Sequence, residues 1–141
     1  MEPKIISGDV FSDNRGLLYY NKNFDLKDVK RFYIIKNIDT IFKRGWQGHK
    51  IEQRWYSAIN GSFEIKLIKI DEWEYPSKHL EPINLHLDSN KLDILHIPPG
   101  YISCIQSLEK DSKLLVMADY LLGEIQDEYR FELDYFKISK K

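Results

Sequence analysis

Cysteine occurs once in the 141 residues, as Cys104. One thiol excludes an intramolecular disulfide and suits a reducing compartment such as the cytoplasm. Neither sign of charge is in excess. The 21 basic and 22 acidic side chains leave a net charge of −1, so neither nucleic acid nor an anionic membrane is an expected partner. Small anions remain open, because their binding depends on local arginines rather than on the sum. No apolar run approaches the ~18 residues of a membrane span. The opening residues MEPKIISGDVFSDNRG carry no apolar signal segment, so secretion is not expected either. No repeat, linker or low-complexity tract interrupts the chain. With 43% apolar residues at this length, residues 1–141 are expected to form one domain with a sizeable core.

What the chain has in abundance is strand signal. Apolar and polar residues alternate in Phe63-Glu64-Ile65-Lys66-Leu67, and β-branched or aromatic residues fill 31–38 and 54–59. Asn60-Gly61 between two such runs predicts a two-residue hairpin of the type that needs positive φ at both central positions. Further short runs at 83–87, 92–97, 103–108 and 113–120 are separated by Asp, Ser, Asn, Pro and Gly, with Pro98-Pro99-Gly100 the firmest break. Only 123–136 reads as helical, from Ile125, Tyr129 and Leu133 at spacings of four. Many short strands predict an all-β sandwich or barrel of the jelly-roll type, which can enclose a ligand cavity, with a short C-terminal helical segment.

The stretch RGWQGHK, residues 44–50, stands apart. Alternation along a strand sends Gln47 and His49 to one face, where two histidines would make a proton-transfer or metal site. Here a glutamine holds one of the two places. Of the other histidines, His79, His86 and His96 sit in no motif and are given no role.

Residues 44–65, RGWQGHKIEQRWYSAINGSFEI, with 95–107, LHIPPGYISCIQS, resemble the two motifs of the cupins. Within the cupins, FSDNRGLL (11–18), VKRFYII (29–35), RGWQGHK and LLVMADY (114–120) resemble the WxcM-like, FdtA-like sugar-nucleotide 3,4-ketoisomerases, relatives of the dTDP-4-dehydrorhamnose 3,5-epimerases. The resemblance spans nearly the whole chain and implies a double-stranded β-helix, a dTDP-linked 4-keto-6-deoxysugar as ligand and a homodimer with strands paired between subunits. Metal-binding cupins use two histidines, a glutamate and a further histidine, and those places read Gln47, His49, Arg54 and Ser103. One imidazole beside a guanidinium does not make a divalent-cation site, so no metal and no cofactor are expected.

Gln47 stands where the family's principal histidine would be. An amide orients a carbonyl or hydroxyl but does not accept a proton near neutrality. That leaves His49 as the implied proton shuttle, with Gln47 bonding the sugar oxygens and Tyr33 matching a family tyrosine near the sugar. Arg15 and Arg44 suit a diphosphate, because guanidinium presents paired donors to oxyanions. Trp46 is a candidate to stack on a base or sugar ring, and Ser103 to line the cavity. The alternative reading is a cupin that binds the nucleotide sugar without turnover. A 3,5-epimerase is disfavoured by Gln47 and by Leu115, which stands at the epimerase acid tyrosine.

Overall fold

The β-branched and aromatic runs are strands in the computed structural model, which describes residues 1–139. In chain order these are β1 (Lys4–Ile6), β2 (Asp9–Asp13), β3 (Gly16–Tyr20), β4 (Arg31–Ile35), β5 (Lys43–His49), β6 (Arg54–Asn60), β7 (Ser62–Lys69), β8 (Ile83–Asp88), β9 (Ile94–Ile97), β10 (Tyr101–Ser107), β11 (Lys113–Ala118) and β12 (Tyr129–Arg130). They make two five-stranded sheets, ordered β1-β9-β6-β11-β4 and β12-β5-β10-β7-β8, while β2 and β3 pair only with each other. All these ladders are antiparallel. Two such sheets face to face are the expected cupin jelly roll.

The inner faces follow the period of two. Tyr56 and Ala58 on β6, Phe63, Ile65 and Leu67 on β7, Ile105 on β10, and Leu114 and Val116 on β11 meet in one buried cluster between the sheets. The alternate residues face outward and are covered in turn. Trp46, Ile68, Ile102 and Cys104 pack under Phe131 and Phe136 of the C-terminal segment, and Trp55, Ile94 and Met117 pack under Phe24 and Val29. Burial of each such large side chain is worth roughly 1.5–3 kcal/mol. Tyr56 and Ile105 of the inner cluster also border a niche lined with polar side chains.

Two expectations fail. Asn60-Gly61 does not turn a hairpin: β6 and β7 belong to different sheets, and only Gly61 has positive φ, at +72°. The chain crosses from one sheet to the other there, and a Cβ on Gly61 would lie 2.1 Å from Ser112 Oγ, so close approach as well as φ requires glycine. The C-terminal helix is also absent. Among the described residues the only helical turn is a 3₁₀ turn at Leu26–Asp28, and 123–136 is a string of turns with β12 in its middle.

Candidate active site

A bulge in β5 builds one wall of the site. Ser103 and Ile105 of β10 face Gln47 and Arg44 of β5, so three steps on β5 match two on β10. The extra residue rotates the alternation. Arg44, Gln47 and His49 therefore all line a niche between the sheets, although simple alternation would send Arg44 outward. Close contact makes this possible: a Cβ on Gly45 would lie 2.8 Å from Cys104 Cα, and one on Gly48 2.2 Å from the Tyr101 carbonyl oxygen.

Tyr33 and Ile35 of β4, Arg54 and Tyr56 of β6, and Ser103 and Ile105 of β10 complete the niche, which has a volume of about 30 Å³. His49 and Arg54 also line a wider cleft of about 580 Å³, with Arg31, Glu52 and the segment 121–129. That volume is of the size that takes a small ligand.

The segment Asp127-Glu128 organises both halves of the predicted pair. The Asp127 carbonyl oxygen lies 2.9 Å from His49 Nδ1. A carbonyl only accepts, so Nδ1 carries the proton in the neutral ring and Nε2 keeps its lone pair. The Asp127 carboxylate accepts from the backbone N–H groups of Lys50, Ile51 and Glu52, fixing the loop that follows His49. Glu128 Oε1 accepts from Gln47 Nε2 at 2.8 Å. A carboxylate here is an acceptor only, so the amide is oriented with its nitrogen toward Glu128 and its oxygen turned away from it.

Electrostatics set the protonation. Burial, reinforced by the Arg54 cation, pushes His49 down to about 4, against a partial offset from Asp127 and Glu128. The ring is thus neutral near pH 7, and Glu52, 3.6 Å from Nδ1, faces an uncharged imidazole rather than a partner ion. Burial raises the Glu52 carboxyl, opposed by Arg54 and Arg31. Arg54 contacts Glu52 at 3.3 Å and donates to the Tyr33 hydroxyl at 3.1 Å. Both members of the Arg54–Glu52 pair are buried. Tyr56, pushed up to about 12 by burial, exchanges a hydrogen bond with Ser103.

His49, Glu52 and Asp127 bring potential ligand atoms within 4.8 Å of one another, but the set does not suit a metal. Both Asp127 oxygens are occupied by backbone amides, and Glu52 serves two guanidiniums.

Of the predicted residues, Tyr33, Arg44, Gln47, His49 and Ser103 come together. Arg44 donates to Asn37, which is itself tied to the Ile105 carbonyl. Trp46 is on the other face of β5, 2% exposed and packed edge-on against Phe136, so it offers no face to a base or sugar. Arg15 is exposed at the β2–β3 turn, paired with Asp13, and does not line its own chain's niche. Cys104 also faces away from the niche and is buried. In the sequence Arg54 stands out only as a residue at the place of a cupin metal ligand. Asp127 and Glu128 were missed altogether: they lie some 80 residues from their partners, and no local pattern marks them.

The family model described as "FdtA: WxcM-like, C-terminal" matches residues 1–141. No curated protein matches. Among solved structures, a mutant 3,4-ketoisomerase QdtA from Thermoanaerobacterium thermosaccharolyticum, in complex with TDP-4-keto-6-deoxyglucose, is similar with a TM-score of 0.72 at 24% identity, over 95% of this chain and 91% of that one. A 3,4-ketoisomerase from Helicobacter canadensis is similar with a TM-score of 0.67 at 26% identity, over 88% of this chain and 87% of that one. The Mycobacterium tuberculosis rmlC epimerase shares the fold at 13% identity, with a TM-score of 0.73 over 91% of this chain and 68% of that one.

Proposed function

Because the chain belongs to the FdtA family of WxcM-like, C-terminal proteins, we propose that it is a metal-independent 3,4-ketoisomerase of a dTDP-linked 4-keto-6-deoxyhexose, serving deoxysugar and polysaccharide biosynthesis in the cytoplasm. The observation that carries this reading is His49. Its Nδ1–H is committed to the Asp127 carbonyl, so a neutral, orientated Nε2 lines the niche beside Gln47, Tyr33 and Arg54. One imidazole on one face takes the proton from C3 and returns it to C4 through an enediolate. Gln47, its nitrogen held by Glu128, presents its oxygen to a sugar hydroxyl. Tyr33 contacts the sugar, Ser103 lines the floor, and Arg44 meets the diphosphate. With one positioned acid–base group in place of two, turnover is expected to be slow, by roughly 10²–10⁴-fold.

The homodimer reading rests on apolar surface. Phe32 and Ile34 are exposed on β4, at the edge of its sheet, and Phe11, Leu17, Leu18 and Tyr19 are exposed on a hairpin that pairs with neither sheet. A hairpin laid on a second copy's β4 edge covers both. It also offers Arg15 to the second copy's nucleotide.

The test is NMR of the purified protein with dTDP-4-keto-6-deoxyglucose. A 3-keto product is expected, and His49→Asn should abolish it while TDP affinity stays within about threefold, the mark of a group used in the chemical step. Turnover by His49→Asn at the parent rate would remove His49 as the base. The second reading, binding without turnover, is favoured by the Gln47–Glu128 pair, which leaves no base at that place. Saturable binding with no product over hours would support it. An epimerase is disfavoured further because Leu115 packs toward Trp55 and Met117 rather than lining the niche.

A further inference from the structure

Arg54 is 5% exposed, and its three guanidinium nitrogens are unequally used. One terminal nitrogen donates to Tyr33 and the other to Glu52. Nε is buried and has no hydrogen-bond partner among the described residues. A buried N–H without an acceptor costs roughly 1–3 kcal/mol, so such a group persists where something compensates. The side chain that carries it lines the same niche as His49, and at about 30 Å³ that niche admits about one oxygen atom.

The geometry points to Arg54 as a catalytic residue whose Nε–H donates to the C4 oxygen of the sugar and holds the negative charge that develops there. This rests on the ketoisomerase reading above. His49 Nε2 removes the C3 proton, and the C3–H bonding pair becomes the C3=C4 π bond. The C4=O π pair moves onto oxygen, giving an enolate that Arg54 stabilises. The O3–H proton passes to that oxygen and leaves its bonding pair on O3. That pair forms C3=O as the C3=C4 pair takes the proton from His49 at C4, so nothing is consumed and the base is regenerated. Guanidinium stays protonated throughout, which suits an electrostatic role and excludes a share in proton transfer. Glu52 balances the buried charge in the resting protein. The labour is divided: one imidazole moves the proton, and one fixed cation holds the electrons.

The experiment pairs Glu52→Gln with Arg54→Gln, which removes both charges and leaves no buried carboxylate unpaired. Two quantities are read: the rate of 3-keto product formation, and calorimetric affinity for TDP-4-keto-6-deoxyglucose against TDP-glucose, which carries a hydroxyl at C4. The parent is expected to prefer the 4-keto sugar. The double variant should lose that preference, with KM for the 4-keto sugar rising in proportion, and fall about 10²–10³-fold in kcat, while TDP affinity stays nearly unchanged. Turnover within threefold of the parent, or a parent without keto preference, would overturn the assignment. A parent that makes no 3-keto product, yet prefers the keto sugar through Arg54, would sink the ketoisomerase reading and keep the Arg54 contact. If the double variant does not bind TDP, Arg54→Lys keeps the buried charge and supplies the same comparison: a diminished keto preference supports the contact, an unchanged one removes it.

Discussion

His49 illustrates how a side chain is made into a base by what surrounds it. Burial and the neighbouring Arg54 cation together hold the ring at about 4 rather than the ordinary 6.5. The proton-accepting form is therefore present throughout the neutral range and is lost only as pH falls through about 4. The expected kcat/KM profile is flat from about pH 8 down to about 5.5, with its acid limb well below that of an ordinary imidazole. A limb at about 6.5 would mean that the niche does not desolvate the ring. The same shift bears on stability. The folded protein binds this proton less readily than the unfolded chain, so the contribution is fully present above about pH 6.5 and is eroded as pH falls from there through about 4. Acid denaturation followed in parallel with His49→Asn separates this contribution from those of the carboxylates.

Among the elements, the segment after β11 has the most influence for its size. Asp127 takes three backbone N–H groups from the loop between β5 and β6, and its carbonyl holds His49. Asp127→Ala leaves those amides without an acceptor and should cost about 2–4 kcal/mol in urea unfolding at unchanged m-value. It should also lower kcat, because His49 loses its orienting partner. Asp127→Asn, which keeps one acceptor oxygen, should cost less. This segment was the least legible part of the sequence. Its spacing of four mimics a helix, yet Leu133 is exposed while Tyr129 packs against Trp73, so the three residues form no common buried stripe. The turns around Gly123, at φ +82°, and the pairing of β12 with β5 override the periodicity. By contrast β4, β6, β7, β10 and β11 were legible from β-branched alternation, because each buries an inner face. The Asn60-Gly61 step misled for a different reason: local turn chemistry says nothing about which sheet the next strand joins. For the site, residues adjacent on β5 could be read as a pair, whereas the bulge that admits Arg44 and the turn that supplies Asp127 and Glu128 are tertiary events.

At the scale of the whole molecule, the fold presents apolar surface that a solitary chain would leave in water. Phe32 and Ile34 together make an edge strand with 72% and 54% of their surfaces exposed. A Phe32→Lys change should weaken self-association by roughly 10–100-fold, read by sedimentation velocity at micromolar concentration, because central aromatic contacts carry most of an interface's energy. A protein that sediments as a monomer before and after the change would remove the dimer and with it the place of Arg15. No helix among the described residues is long and apolar enough to cross a membrane.

The narrowness of the niche has an isotopic consequence. With room for about one water beside His49, a hydrogen taken from C3 has few partners with which to exchange before it is handed to C4. Substrate carrying deuterium at C3, turned over in ordinary water, should therefore yield product that retains part of that label at C4, detectable by mass spectrometry and located by NMR. The retained fraction measures a race between hand-over and washout, so opening the cleft, as Tyr33→Ala would, should lower it even where the rate of turnover changes little. Complete washout in the parent protein would show that solvent reaches the imidazole faster than the sugar does.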